Sequence, residues 1–164
     1  MSNFPKSNYY VLILVLSIVG AILFIFTDFA GYTAYYSYYV SFQSVFSNPD
    51  LIAYSPIYPL VSFLFLLNIF LSLKELKILR LSFPQNSAKI GFFSSIGILA
   101  VNAVCGIAFA VLASDARAWW FGAGFYAGVI GGIILPILYQ LSMQTSLQNS
   151  DQLPYLPPPP PPPT

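Results

Sequence analysis

Four stretches of this chain are long, apolar and free of Asp, Glu, Lys and Arg: about residues 9–26, 57–73, 90–113 and 119–139. A helix needs about 20 mostly apolar residues, with roughly 17 to 25 as the usual range, to cross the hydrocarbon core of a bilayer. The pattern therefore predicts an all-α, integral membrane four-helix (tetraspan) bundle over residues 1–142 and a disordered cytoplasmic tail over 143–164. A buried helix of a water-soluble protein competes as the account of any one run, but four such runs in one short chain point to lipid. Pro56 and Pro59 fall at the start of the second run, where a missing N–H costs a helix nothing. Residues 114–118 are all that separates the third and fourth runs, so a tight antiparallel hairpin is expected there. An outer loop, 27–56, follows the first span, and an inner loop, 74–89, follows the second.

Composition strengthens this picture: 57% of the 164 residues are hydrophobic and only 7% are charged, against about a quarter charged in soluble domains. The six basic and five acidic residues are too few and too dispersed for a nucleic-acid footprint. The first run could be a secretory signal, since Lys6 precedes it. Its apolar length exceeds a typical signal core, however, and Thr27-Asp28-Phe29-Ala30 offers no small-x-small cleavage site, so it is expected to stay in the mature protein.

Orientation follows from the excess of Lys and Arg in cytoplasmic loops. Lys74, Lys77, Arg80 and Lys89 lie between spans two and three, Lys6 precedes span one, and only Arg117 lies on the other side. A cell-membrane protein with both termini in the cytoplasm is expected. The segment from Lys74 to Leu81 reads as a helical extension whose basic residues lie near the headgroups and fix the topology.

In lipid, helices associate by close packing at small residues and by interhelical hydrogen bonds. Gly124, Gly128 and Gly132 make one small face on span four, and Asn102, Gly106 and Ala110 have the same spacing on span three. These two faces are expected to meet; a contact with a second copy or another subunit is the alternative. Pro136 should kink span four. Asn68 and Asn102 lie inside apolar runs and should face the bundle interior, either as interhelical glue or as polar steps along a pore.

The chemistry the chain lacks is equally informative. There is no histidine and a single cysteine, Cys105, so histidine-held haem, His-containing zinc sites, His acid–base catalysis and an internal disulfide are excluded. No cofactor and no metal are expected, and Cys105 reads as a small packing residue. Ion-driven transporters keep ionisable residues within the membrane, whereas Asp28 and Asp115 sit at span ends.

In the outer loop Tyr32, Tyr35, Tyr36, Tyr39, Phe42 and Phe46 follow helical spacing, which suggests an interfacial helix; a β-hairpin is the other reading, since Tyr and Val favour strands. Either would lie over the bundle as a lid. The loop offers a membrane-interface belt or a docking surface through Tyr32, Tyr35, Tyr36, Tyr39 and Phe42. Prolines 157 to 163 must adopt polyproline II, about 22 Å long at 3.1 Å per residue. With Pro157, Pro160 and Pro163 on successive turns, this run reads as a partner ligand or as a spacer.

Cytoplasmic termini, a long first outer loop and a short second one resemble the layout of claudin- and MARVEL-type tetraspan proteins. Residues 27–56 contain neither the tryptophan nor the two cysteines of the claudin signature, and no family membership follows. The expected function is that of a non-enzymatic structural or accessory subunit that binds the lipid bilayer and a protein partner or a second copy. An oligomeric channel or facilitator lined by Asn68 and Asn102 is the alternative.

Overall fold

A computed structural model describes residues 5–33, 36–41, 57–79 and 86–151. Among these residues four helices, α1 (Lys6–Phe26), α2 (Ile57–Glu75), α3 (Ser87–Leu112) and α4 (Ala123–Asp151), are accompanied by three short strands, β1 (Asp28–Thr33), β2 (Ser37–Ser41) and β3 (Ala118–Phe121). Each helix packs against the one before it, and α4 closes the ring on α1. Lys6 of α1 reaches Glu75 at the end of α2, Lys74 reaches Ser87 at the start of α3, and Gly106 near the end of α3 meets Phe125 at the start of α4. The helices thus alternate in direction around the ring.

These segments are helical because a helix satisfies every backbone N–H and C=O within itself, which an apolar solvent demands. Three of them, Lys6–Phe26, Ser87–Leu112 and Ala123–Thr145, are long and apolar enough to cross a membrane. The first has 21 residues, about 31 Å at 1.5 Å per residue. Its two faces identify the solvent. The face turned into the bundle carries Tyr10, Ile13, Ser17, Gly20, Ala21 and Phe24, while the exposed face carries Val11, Leu12, Val15, Ile18, Val19 and Ile22. Ser17, Gly20 and Ala21 turn inward among Tyr10, Ile13 and Phe24, while the outward face is aliphatic throughout, which a helix packed in water would not show.

The expectation of an all-α fold is corrected by the sheet, which has the order β2-β1-β3 with both pairs antiparallel. Helical spacing of the tyrosines does not produce a helix over Tyr32 to Tyr39; the hairpin forms instead, because β1 also finds a third strand in the segment before α4. That segment, Ala118–Phe121, was expected to belong largely to the fourth span. It leaves the helical path as β3, so α4 begins at Ala123 rather than near Trp119. At its other end α4 continues through Pro136 as far as Asp151, beyond the expected boundary of the tail at 143.

A bulge interrupts the β1–β2 register between Asp28 and Ala30. It allows the consecutive residues Phe29 and Ala30, 3% and 0% exposed, both to be buried at the bundle end. Phe29 meets Phe24 and Phe125 edge-on at 6.0 and 5.5 Å, and Phe121 stacks on Phe125 at 3.9 Å. The sheet is fixed to the helices by this aromatic cluster and by the Gly122 N–H, which donates to the Phe29 carbonyl at 2.8 Å.

Candidate functional site

The opposite end of the bundle carries the lysines. There, α2 stops in a turn that satisfies its last carbonyls: the N–H of Lys77 donates to the carbonyl of Lys74 at 2.8 Å and that of Ile78 to Leu73 at 3.0 Å. This pairing requires the residue after the cap to be left-handed, and Lys77 takes φ 60°, a position usually filled by glycine. Lys6 pairs with Glu75 at 3.5 Å, and the Lys74 ammonium donates to the Ser87 hydroxyl at 2.7 Å.

A polar seam enters the bundle from this end. The rings of Tyr10 and Tyr139, 1% and 0% exposed, meet edge-on at 6.2 Å, and Tyr139 packs on Gly91. Ser142 lies 3.5 Å from the Tyr10 hydroxyl and also donates to the Tyr139 carbonyl at 2.8 Å. Asn68 continues the seam. Its Oδ1 lies 3.2 Å from the hydroxyls of both Ser94 and Ser95 of α3, which share their protons between it and the Gly91 carbonyl at 3.0 and 2.7 Å, and its Nδ2 donates to the Leu64 carbonyl at 2.7 Å. Asn68 lies seven residues before Glu75, so the seam reaches about 10 Å into the helices.

Ile13, Ile98 and Leu135, all 0% exposed, belong to the apolar core beyond the seam. The second amide, Asn102, lies closer to the sheet. Its Nδ2 donates to the Phe125 carbonyl of α4 at 3.1 Å, and its Oδ1 has no hydrogen-bond partner among the described residues. That oxygen faces Gly128, where a Cβ would collide with it. A Cα–H···O contact from a glycine is the weak interaction such an approach permits. Both asparagines are fully buried within the one chain and bonded to its own helices.

Of the glycines expected on the two small faces, three lie between α3 and α4 and Gly124 does not. Gly128 meets Asn102; Gly132 meets the backbone of Leu99, where a Cβ would stand 2.8 Å from Cα; Gly106 receives the ring of Phe125. Gly124 turns instead to the backbone of Asp28 and Phe29 in β1, and Ala110 is half-buried. Between α2 and α3 an open groove of about 280 Å³ is lined by Leu60, Ala100, Val101 and Val104, with no polar side chain.

The sheet gathers most of the remaining candidates. Tyr32 stacks on Tyr38 at 5.1 Å, and Tyr39 meets Trp120 edge-on at 5.9 Å. Gly31 lies opposite both Tyr39 and Trp120 in the register. The Trp120 indole covers it so closely that a Cβ would lie within 3.0 Å of three indole atoms. Tyr36 is 75% and Tyr39 53% exposed. Tyr35, Phe42, Pro157, Pro160 and Pro163 lie outside the described residues.

Sequence reasoning missed the tyrosine and serine members of the seam and both tryptophans of the sheet. Tyr10 and Tyr139 lie inside runs read only for length and hydropathy. No protein-family model, no curated protein and no solved structure matches this chain.

Proposed function

We propose that the chain is a four-span membrane protein with both termini in the cytoplasm, and that it acts as a non-enzymatic accessory subunit binding a partner protein on the outer side. The fourth crossing is α2, a 19-residue helix, about 28 Å long, seated in the ring between α1 and α3. Sidedness rests on charge. Lys6, Lys74, Lys77 and Lys89 belong to the end with Glu75, while Asp28, Asp115 and Arg117 belong to the sheet end. Cationic loops are retained in the cytoplasm.

The observation that carries the partner reading is the construction of the sheet. Two loops far apart in sequence combine to present Tyr36 and Tyr39 to the surroundings, beside Trp120. Aromatic side chains of this kind concentrate in the centres of protein interfaces. Among the described residues the interior offers no comparable site. Burial of Asn68 and Asn102 supports interhelical hydrogen bonding as their role, in preference to lining a pore between copies.

Purification from the native membrane with mass determination tests this reading. A stoichiometric partner is expected, lost when Tyr36 and Tyr39 are both changed to alanine and kept when residues 157–163 are removed. Loss of the partner only with the proline run would move the contact to the tail. A homo-oligomer that passes ions in liposomes, or a lone inert monomer, would contradict the accessory-subunit reading.

A further inference from the structure

The two faces of the sheet differ in chemistry. One carries Ala30, Tyr32, Tyr38, Val40, Trp119 and Phe121, all apolar or aromatic. The other alternates with it and carries Tyr39 and Trp120 beside hydroxyls at Thr33, Ser37 and Ser41. Along the first face, Ala30 is cross-strand neighbour to Val40 and Phe121, and this row is covered by the bundle, with Ala30 0% and Val40 6% exposed. The next row on the same face is Tyr38, Tyr32 and Trp119. There the cover runs out: Tyr38 is 45% and Trp119 42% exposed.

Residues two apart on a strand point the same way. A face that looks down on the helix ends at one row therefore looks along the helix axes at the next, toward the plane of the bilayer. The contacts agree, because Trp119 rests edge-on against Phe109 at 6.3 Å. Phe109 lies in the last turn of α3, whose residues Ile107, Val111 and Leu112 are 66 to 69% exposed and apolar. The row is thus continuous with the lipid-facing side of α3.

We propose that Tyr32, Tyr38 and Trp119 form a foot that rests in the lipid headgroup layer on the sheet side of the membrane. Its partner is a lipid surface. Tyrosine and tryptophan suit that layer because each has an apolar ring and one polar atom, and the row carries no charge to be desolvated. The opposite face, with Tyr39 and Trp120, is thereby turned away from the lipid and left for protein contact. This inference rests on the bundle crossing the bilayer and is independent of the identity of the protein partner.

The chain has two tryptophans, at adjacent positions of β3 and so on opposite faces. The full chain is placed in phosphatidylcholine vesicles whose acyl chains carry bromine either near the headgroups or deep in the core. Trp119 is read in W120F and Trp120 in W119F. Bromine near the headgroups should lower Trp119 emission roughly twofold, as expected for an interfacial ring, deep bromine should lower it less, and Trp120 should change little. A single tryptophan placed by Tyr38→Trp in a chain with both native tryptophans changed to phenylalanine should behave like Trp119.

Equal quenching on both faces, stronger quenching by deep bromine, or no quenching of the Trp119 row would overturn the foot. Alkaline extraction of the same vesicles separates the two readings. Protein retained with Trp119 unquenched rejects the foot alone, whereas protein washed off rejects the spanning bundle and the foot with it.

Discussion

At the lysine end, Tyr10, Asn68, Ser72, Tyr139 and Ser142 close the bundle with helix side chains alone, all at most 1% exposed. At the sheet end the helices stop short, and Phe29, Phe121 and Phe125 couple them to a separate layer of strands. The first end is polar and inward-looking; the second is aromatic and extends beyond the helices. Hydroxyls and amides can be buried where several helices supply partners, because a polar group in lipid is costly unless bonded. Aromatic rings with one polar atom tolerate the boundary between lipid and water. Under the proposed function the sheet end makes the external contact, while holding the helices together is shared between the polar end and the close approaches at Gly106, Gly128 and Gly132.

The largest effect should come from emptying the polar end. Tyr139→Ala removes a fully buried ring and should destabilise the bundle by about 3 to 5 kcal/mol, read as a lowered melting temperature in detergent. Tyr139→Phe keeps the ring and removes only the hydroxyl, which lies beside Ser72. It should change stability by less than about 1 kcal/mol. If the phenylalanine variant fell as far as the alanine one, the hydroxyl and not the packing would hold this end.

Next in size, Gly122→Val should lift the sheet from α4. A Cβ at Gly122 would stand 2.8 Å from the carbonyl carbon of Asp28, and backbone cannot rotate aside as a side chain can. Overpacking of this kind costs about 1 to 3 kcal/mol. Here the loss should appear as a red shift of tryptophan emission while helix content is kept. A joint loss of helix and sheet would show that the two ends are one cooperative unit.

Asn68→Leu should cost about 0.6 to 2 kcal/mol, the range for hydrogen bonds between membrane helices, since the polar contact from α2 to Ser94 and Ser95 would be lost while both serines keep the Gly91 carbonyl of their own helix. An unchanged melting temperature would mean that the seam contributes nothing to holding this end. Lys77→Gly, the smallest change, should stabilise. Removing the Cβ relieves roughly 1 to 2 kcal/mol of left-handed strain against about 0.5 to 1 kcal/mol of added chain entropy, a net gain of up to about 1.5 kcal/mol. The same melting measurement checks it, and a loss would show that the lysine charge near the helix C-terminus outweighs the strain.

The helices were legible in the sequence because bilayer thickness imposes a length, and residues 9–26 or 90–113 meet it without a charge. The sheet was not, for two physical reasons. Tyrosines at 32, 35, 36 and 39 satisfy helical spacing while β-favouring residue types argue the other way, and periodicity alone cannot choose between them. The choice is made by β3, which pairs with β1 from some ninety residues away, and Trp119-Trp120-Phe121 is apolar enough to merge with the span that follows. Asn68 and Asn102 stood out as amides in apolar runs. Tyr10 and Tyr139 did not, since only tertiary packing separates a buried tyrosine from one at the interface.

The central claim, that the lysine end and the sheet end lie on opposite sides of the membrane, is open to direct measurement. The one native cysteine, Cys105, is 5% exposed and can be replaced by Cys105→Ala to give a thiol-free chain. Into it Tyr36→Cys places a thiol at the hairpin tip, and Lys89→Cys places one at the start of α3. With a membrane-impermeant maleimide, intact cells should label the first variant and leave the second unlabelled until the membrane is permeabilised. Labelling of both from outside, or of Lys89→Cys alone, would contradict the account.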